Sequence, residues 1–442
     1  MGNPSVPQQG AGVRVFHLAS HWRSLVRRRD DHDPVIDGVR AFAIIWVIFF
    51  HIPFFHLGSF TTEAFALFMG PWTQWMGRGD MGVDLFFVIS GYLIGSILLD
   101  EYRATGGLQV KRFYARRFLR LIPVYVVAML LGAPLVHNIP KSAILMEFPP
   151  WMNFDTIWAN LLYVNNFLPI NGQYMGWCWS LAIEEQFYLI FPAFILIFMR
   201  FRPKLQILGL FMLLSGVIRW IIIDRHGFIP PFLDTPDMPS WVDRFSIEYQ
   251  NLYTRYAGLL SGVIAAYLMV YQRERVRVFF TRTALVNVLS ILAVALIIPT
   301  AYFALASPLF ASIPRRAAEL YYSHHRDVFS ICLMFLILAA IHRSGAAGKL
   351  LRSILSAKVL YPIAQISYSL YLVHEAVMLW LFPKTAAAWG PSLGNWTALW
   401  AGAALAVVTS VVFAALLYLF VEQPCMRARS LPGFKRWTEK TR

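Results

Sequence analysis

Charge is what this sequence has least of. Only 14% of its 442 residues are Asp, Glu, Lys or Arg and 58% are hydrophobic, where an ordinary soluble domain is about a quarter charged. That balance excludes a soluble globular chain and a disordered one. Cysteine is nearly absent, and Cys178, Cys332 and Cys425 lie too far apart for a zinc site or a disulfide framework. The alternating ten-residue pattern of a membrane β-barrel is missing, as is any internal repeat of fixed period. A cleavable signal peptide is not expected either. The first 35 residues are polar and basic, and the apolar run that follows is too long and has no small-residue cleavage site.

What remains is apolar length. The mean hydropathy is +0.54, and aromatics make up 16% of the chain, with 15 tryptophans, as expected of helices in hydrocarbon with aromatic belts at both interfaces. Runs long enough to cross about 30 Å at 1.5 Å per residue fall near 36–57, 82–99, 119–137, 178–198, 206–223, 249–270, 284–304, 328–342, 359–381 and 396–421. The expected fold class is therefore all-α, a polytopic membrane helix bundle of about ten transmembrane helices. With the N-terminus taken as cytoplasmic, 27 of the 39 Lys and Arg fall in inner segments, 8 in outer loops and 4 within spans. The positive-inside rule thus predicts that both termini are cytoplasmic. The net charge of +15 mostly restates this topology, and no nucleic-acid partner is expected. The basic stretches RRR (27–29) and MRARSLPGFKRWTEKTR read as anchors facing the lipid bilayer. The chain divides into a basic N-terminal tail (1–35), a transmembrane domain (36–424) and a basic C-terminal tail (425–442). The longer outer segments, 138–176, 224–248, 305–327 and 382–395, are each too short for a separate soluble enzyme domain.

Ionisable groups inside spans are costly, so each is a functional candidate. Arg40 opens the first span and His51 follows eleven residues later, about 16 Å along the same helical face. Alone, Arg40 could snorkel to headgroups and His51 could be a core histidine bonded to a backbone carbonyl. Asp84 enters the second span from outside and could equally be an acid favoured by a helix N-terminus. Arg117 and Arg120, three apart, aim two guanidiniums together from the inner side, a geometry suited to phosphate, with phospholipid headgroups as the plainer target. Glu184 and Glu185 sit early in the fourth span, where only one of them can share a face with Ser180 or Tyr188. Arg255, His374 and Glu375 lie nearer the outside. Arg255 could be a structural ion pair with one of the acids, and His374 could hold the bundle together. Gly91 with Gly95, and Gly258 with Gly262, read as small-residue helix-packing pairs. Together the charges separate a phosphate-suited inner mouth from a histidine, acids and an arginine converging in the outer half.

At this level of detail the sequence resembles the membrane acyltransferase family 3, multi-span O-acyltransferases. The resemblance rests on IDGVRAFAIIWVIFFH (36–51), GVDLFFVISGYLI (82–94), FYARRFLRLIPVY (113–125), WSLAIEEQFYLIFP (179–192), ISYSLYLVHEAV (366–377) and FVEQP (420–424). The resemblance implies transfer of an acyl group, commonly acetyl from cytoplasmic acetyl-CoA, to hydroxyls of lipopolysaccharide, exopolysaccharide, peptidoglycan, glucans or small glycosylated products. Acetyl-CoA or another acyl-CoA is then a donor substrate, with no bound cofactor and no metal expected. The family's basic-residue and histidine pattern falls on Arg40 and His51, its paired arginines on Arg117 and Arg120, and its fourth-span acid on Glu184 or Glu185. Where the family usually reads like SLYLWHWP, this chain reads SLYLVHEAV, with Val373 and Glu375 flanking His374. Some relatives continue into an extracytoplasmic hydrolase-like domain. Without one, this chain is expected to acylate its carbohydrate or glycolipid acceptor itself or to serve a separate polysaccharide-assembly or periplasmic transferase partner.

The mechanism expected from these residues has Arg117, Arg120 and Arg40 holding the phosphates of acyl-CoA, with His51 as general base on the acceptor hydroxyl or as acyl relay. Glu184, Glu185 or Asp84 would orient the imidazole. Ser90 and Ser180 are nearby candidate nucleophiles for a covalent acyl-enzyme, although membrane serines commonly bond back to their own helix, and Trp151, Trp158, Trp177 and Tyr174 are aromatics that could stack on sugars. The rival classes are a membrane transporter of an acyl group or glycan without its own chemistry, and a scaffold of a polysaccharide-assembly machine. Short Pro- or Gly-broken half-helices, the transporter cue, are not evident. The expected location is the inner (plasma) membrane.

Overall fold

The structure is a computed structural model that describes residues 17–28, 33–57, 59–137, 153–202, 204–226, 242–302 and 313–439. Its regular elements are helices, with no β-strand among the described residues. The ten longest are α1 (Pro34–His56), α2 (Met81–Thr105), α3 (Val110–His137), α4 (Trp179–Phe198), α5 (Lys204–His226), α6 (Leu252–Tyr271), α7 (Thr283–Ala301), α8 (Arg315–Ile341), α9 (Leu360–Leu393) and α10 (Asn395–Leu417). They stand where the ten apolar runs stand. Seven of them, α1, α2, α4, α5, α7, α8 and α10, are long and apolar enough to cross a membrane.

The other three, α3, α6 and α9, carry the arginines of the RFYARRFLR stretch, Arg255, and the His374–Glu375 pair. Polar groups of this kind are tolerated at membrane depth only where neighbouring helices enclose them, so these least lipid-like helices each carry a buried polar cluster. Their polar ends also explain where hydropathy misplaced boundaries. α3 begins at Val110 rather than near 119, and α8 at Arg315 rather than near 328. α9 runs on to Leu393 through what reads as the outer segment 382–395. A hydropathy scan registers hydrocarbon, whereas a helix continues as long as its backbone bonds and packing hold.

Local chemistry sets the ends. The Asp33 carboxylate accepts from the Val35 N–H at 2.9 Å with Pro34 in the first turn of α1, a favoured helix start. Gly106, at φ +73°, closes α2 in the left-handed conformation glycine adopts without strain. After α10 a π-helical turn, Tyr418–Glu422, leads into a short helix, Gln423–Ala428, and then Pro432–Glu439.

Small residues fix the closest approach in the bundle. A Cβ on Gly91 would fall on the Leu259 carbonyl, and one on Gly262 on the Val88 carbonyl. α2 and α6 therefore touch backbone to backbone, as the glycine pairs predicted. The described part of the N-terminal tail packs on the bundle. His21, in the helix Leu18–Val26, bonds the Leu419 carbonyl at 2.9 Å, and Arg28 pairs with Asp37 at 3.3 Å. Arg29 lies outside the described residues.

Candidate active site

α1 and α9 lie side by side and meet at two levels. At one, the Arg40 guanidinium donates to the Ser367 hydroxyl at 3.0 Å. At the other, His51 meets His374 and Glu375. Residues 40 and 51 are three turns apart and 367 and 374 two turns apart, so each helix turns one face to the other along its length. Arg40 and His51 do share a face, and α9 lies against it.

His51 Nε2 is 3.1 Å from Glu375 Oε1. His51 Nδ1 is 2.9 Å from the Val47 carbonyl and 3.2 Å from His374 Nε2. His374 Nδ1 is 2.8 Å from the Tyr371 carbonyl. His374 and Glu375 are fully enclosed, and the His51 side chain keeps 12% exposure. The proton count follows from these partners. A carbonyl only accepts, so both Nδ1 atoms carry protons. The His374 Nε2 lone pair then faces the proton on His51 Nδ1. Between His51 Nε2 and Glu375 Oε1 one proton is needed, held as imidazolium and carboxylate or as imidazole and carboxylic acid. The pair is a one-proton store, and Glu375 Oε2 is buried without a hydrogen-bond partner.

These three residues also place one ligand atom each within 4.8 Å of one another, as a metal ion would need. Hydrogen bonding between His51 Nε2 and Glu375 Oε1 uses the same atoms that would bind an ion, so a shared proton and a cation compete for one place.

The carboxylate beside His51 is therefore Glu375, and the three acids expected there are occupied elsewhere. Glu184 accepts from Ser90 Oγ at 3.0 Å and from Tyr188 OH at 2.9 Å. Arg117 lies 4.8 Å over the Tyr188 ring, with Glu184 and Glu185 among its electrostatic partners. Both glutamates thus belong with the α3 arginines, and Ser90 orients Glu184. Asp84 is shared by Arg255 at 3.1 Å and Arg326 at 2.6 Å, and Asp80 also pairs with Arg326 at 2.6 Å. Arg255 sits against the rings of Tyr249 (4.7 Å) and Trp179 (5.3 Å). This is the buried ion-pair alternative for Arg255, with Arg326 as an added member. Arg326 lies in 305–327, which reads as loop in the sequence and is helical from Arg315 onward.

Ser180 is 2.6 Å from Tyr371 OH, which donates to the Trp177 carbonyl at 2.9 Å. Its hydroxyl thus positions the residue whose own carbonyl holds His374. Two of the expected sugar-stacking aromatics are core residues. Trp177 donates to the Leu372 carbonyl at 3.2 Å and Tyr174 to the Met129 carbonyl at 2.7 Å, both buried. Trp158 is exposed, and Trp151 lies outside the described residues.

At the Arg40 level, Glu422 accepts from Ser369 at 2.9 Å, two residues beyond the serine that receives Arg40. Arg120 and Arg40 are both electrostatic partners of Glu422. The π-helical turn aims this acid inward, in line with the tendency of such turns to occur at functional sites.

The structure thus places a histidine–carboxylate pair at one level of a helical membrane bundle and a group of arginines at another. Residues 33–418 match the acyltransferase domain family, and the chain belongs to that family. The peptidoglycan O-acetyltransferase OatA of Listeria monocytogenes is 31% identical over 421 residues, covering 92% of this chain and 58% of that protein. The O-acetyltransferase OatA of Staphylococcus aureus is 32% identical over 361 residues, covering 79% of this chain and 51% of that protein. The chain thus spans a little over half the length of the curated relatives it matches. No solved structure matches it.

Proposed function

We propose that this protein is a membrane O-acetyltransferase of the inner (plasma) membrane, with both termini cytoplasmic and ten spans. It takes acetyl from cytoplasmic acetyl-CoA and passes it to a hydroxyl of a cell-envelope glycan. The observation that carries the reading is the His51–Glu375 pair, set about 16 Å further along α1 than Arg40. The relatives' names make peptidoglycan the first acceptor to test, ahead of lipopolysaccharide, exopolysaccharide or a glycosylated small molecule.

In this mechanism Arg40, Arg117 and Arg120 hold the donor's phosphates, and the thioester reaches toward His51. The acceptor oxygen attacks the thioester carbonyl carbon, and the carbon–sulfur bond breaks. The proton shared by the His51–Glu375 pair passes to the departing sulfur, and His51 Nε2, freed by that transfer, takes the hydroxyl proton, so charge balances. His374 and the Val47 carbonyl keep Nδ1 of His51 occupied, which leaves Nε2 as the working nitrogen.

The test is transfer of radiolabel from acetyl-CoA into envelope fractions by membranes bearing wild type or His51→Ala at equal abundance. Label that appears with wild type and is lost in the variant supports the reading and identifies the acceptor fraction. Equal labelling from both removes His51 from the chemistry.

A further inference from the structure

The segment that follows α10 does not lie apart from the bundle. The short helix Gln423–Ala428 and the helix Pro432–Glu439 both pack against α3, the helix that carries Arg116, Arg117 and Arg120. The Lys111 ammonium sits 4.6 Å over the Trp437 ring, and Gln423 donates to Tyr418 OH. Arg427 is drawn the other way, to the Ser20 hydroxyl. Arg429, two residues on, has its Nε bonded to the Met426 carbonyl at 2.8 Å. Its guanidinium has those of Arg120, Arg116 and Arg117 as electrostatic neighbours.

Four guanidiniums, those of Arg40, Arg117, Arg120 and Arg429, therefore gather here. None of the four makes an ion pair within 4.0 Å among the described residues. Partial burial, with the neighbouring charges of Arg120, Arg116 and Arg117, brings the Arg429 group down to about 10 against the opposing pull of Glu422. Like charges held together without partners call for an anion of several charges. Three carboxylates face them, Glu422, held by Ser369, and Glu184 and Glu185 beside Arg117, which leaves the arginines in excess.

We infer that residues 423–439 form part of the donor site and that Arg429 binds a phosphate of acyl-CoA beside Arg117 and Arg120. This rests on the reading of the protein as an acyl-CoA-dependent transferase. It replaces the view of the C-terminal tail as a lipid anchor alone. The same chemistry would accept the phosphate of a lipid headgroup, so donor and lipid are varied separately in the test.

The full-length protein in lipid nanodiscs, wild type, Arg429→Ala and Arg429→Lys, is titrated with coenzyme A. Its transfer kinetics are then measured with acetyl-CoA and with acetyl-pantetheine, which has the thioester arm without the nucleotide phosphates. Arg429→Ala is expected to weaken coenzyme A binding, and to raise KM for acetyl-CoA, about ten-fold with kcat unchanged. Acetyl-pantetheine kinetics should be unaffected, and Arg429→Lys should recover part of the loss. Equal coenzyme A binding by wild type and Arg429→Ala overturns the inference. So does an equal loss with both donors that follows the anionic lipid content of the nanodisc, since that assigns Arg429 to lipid. Coenzyme A binding that depends on Arg429 in a protein that transfers nothing supports the donor site while the proposed transfer activity fails.

Discussion

The two levels at which α1 meets α9 use ionisable residues in opposite ways. At the His51 level nearly every donor meets an acceptor, with backbone carbonyls of Val47 and Tyr371 fixing both imidazoles, one proton shared with Glu375, and Glu375 Oε2 alone left over among the three side chains. At the Arg40 level charges are left over, with Arg40, Arg117, Arg120 and Arg429 facing three carboxylates, Glu422, Glu184 and Glu185. A matched site is built to move a proton without reorganising. A mismatched one is built to be completed by a ligand. Under the proposed function, the difference in pairing separates the place where bonds change from the place where the donor is held.

The largest expected effect breaks the first level. His51→Ala should lower acetyl transfer by about 10²–10⁴-fold, the range spanned by a positioned acid or base, with coenzyme A binding unchanged in titration. A parallel loss of coenzyme A affinity would mean that the two levels do not work separately. Next comes Asp84, whose carboxylate joins Arg255 and Arg326 in a third cluster that is paired and buried. Removing one member of a buried ion network costs about 3–5 kcal/mol. Asp84→Ala should therefore reduce the folded yield and the unfolding temperature in detergent, rather than alter kcat in the protein that survives. Normal stability with lost activity would move Asp84 into the chemistry.

Glu375→Gln sharpens the proton argument. The Gln amide would donate to His51 Nε2 and could not balance an imidazolium, so kcat should fall about 10²-fold while KM for acetyl-CoA stays put. Arg120→Ala should do the reverse, raising KM for acetyl-CoA about ten-fold with little change in kcat. The Arg120 effect should shrink with rising salt, because part of the attraction is long-range. A salt-independent loss would indicate that Arg120 supports the helix packing instead.

Much of this organisation is legible in the residues themselves. Apolar length locates the ten helices, the glycine spacings foretell the α2–α6 contact, and an eleven-residue interval puts Arg40 and His51 on one face. The partner of His51 is not legible in the same way. Four acids, Asp84, Glu184, Glu185 and Glu375, lie at comparable depth, and hydropathy ranks depth without saying which helices are neighbours. Glu375 stands beside His374, yet its pairing with His51 depends on α9 lying against α1, a tertiary fact. Arg326 and Arg429 escaped for a related reason. Each lies in a polar stretch that reads as loop or tail, and only the fold turns those stretches back toward buried charge.

The smallest expected effect tests how the two levels communicate. Tyr188 donates to Glu184 and lies under Arg117, so it stands between the arginine group and the acids of α4. Tyr188→Phe keeps the ring beneath the guanidinium and removes one hydrogen bond to Glu184, a loss of about 1 kcal/mol. If Glu184 serves to hold Arg117 in place, the variant should show a rise of roughly ten-fold or less in KM for acetyl-CoA with kcat preserved, and Ser90→Ala should show the same pattern. Should Tyr188→Phe instead lower kcat, Glu184 would be coupled to the chemistry at His51. The division between a proton-handling level and an anion-holding level would then give way to one continuous polar path along the bundle.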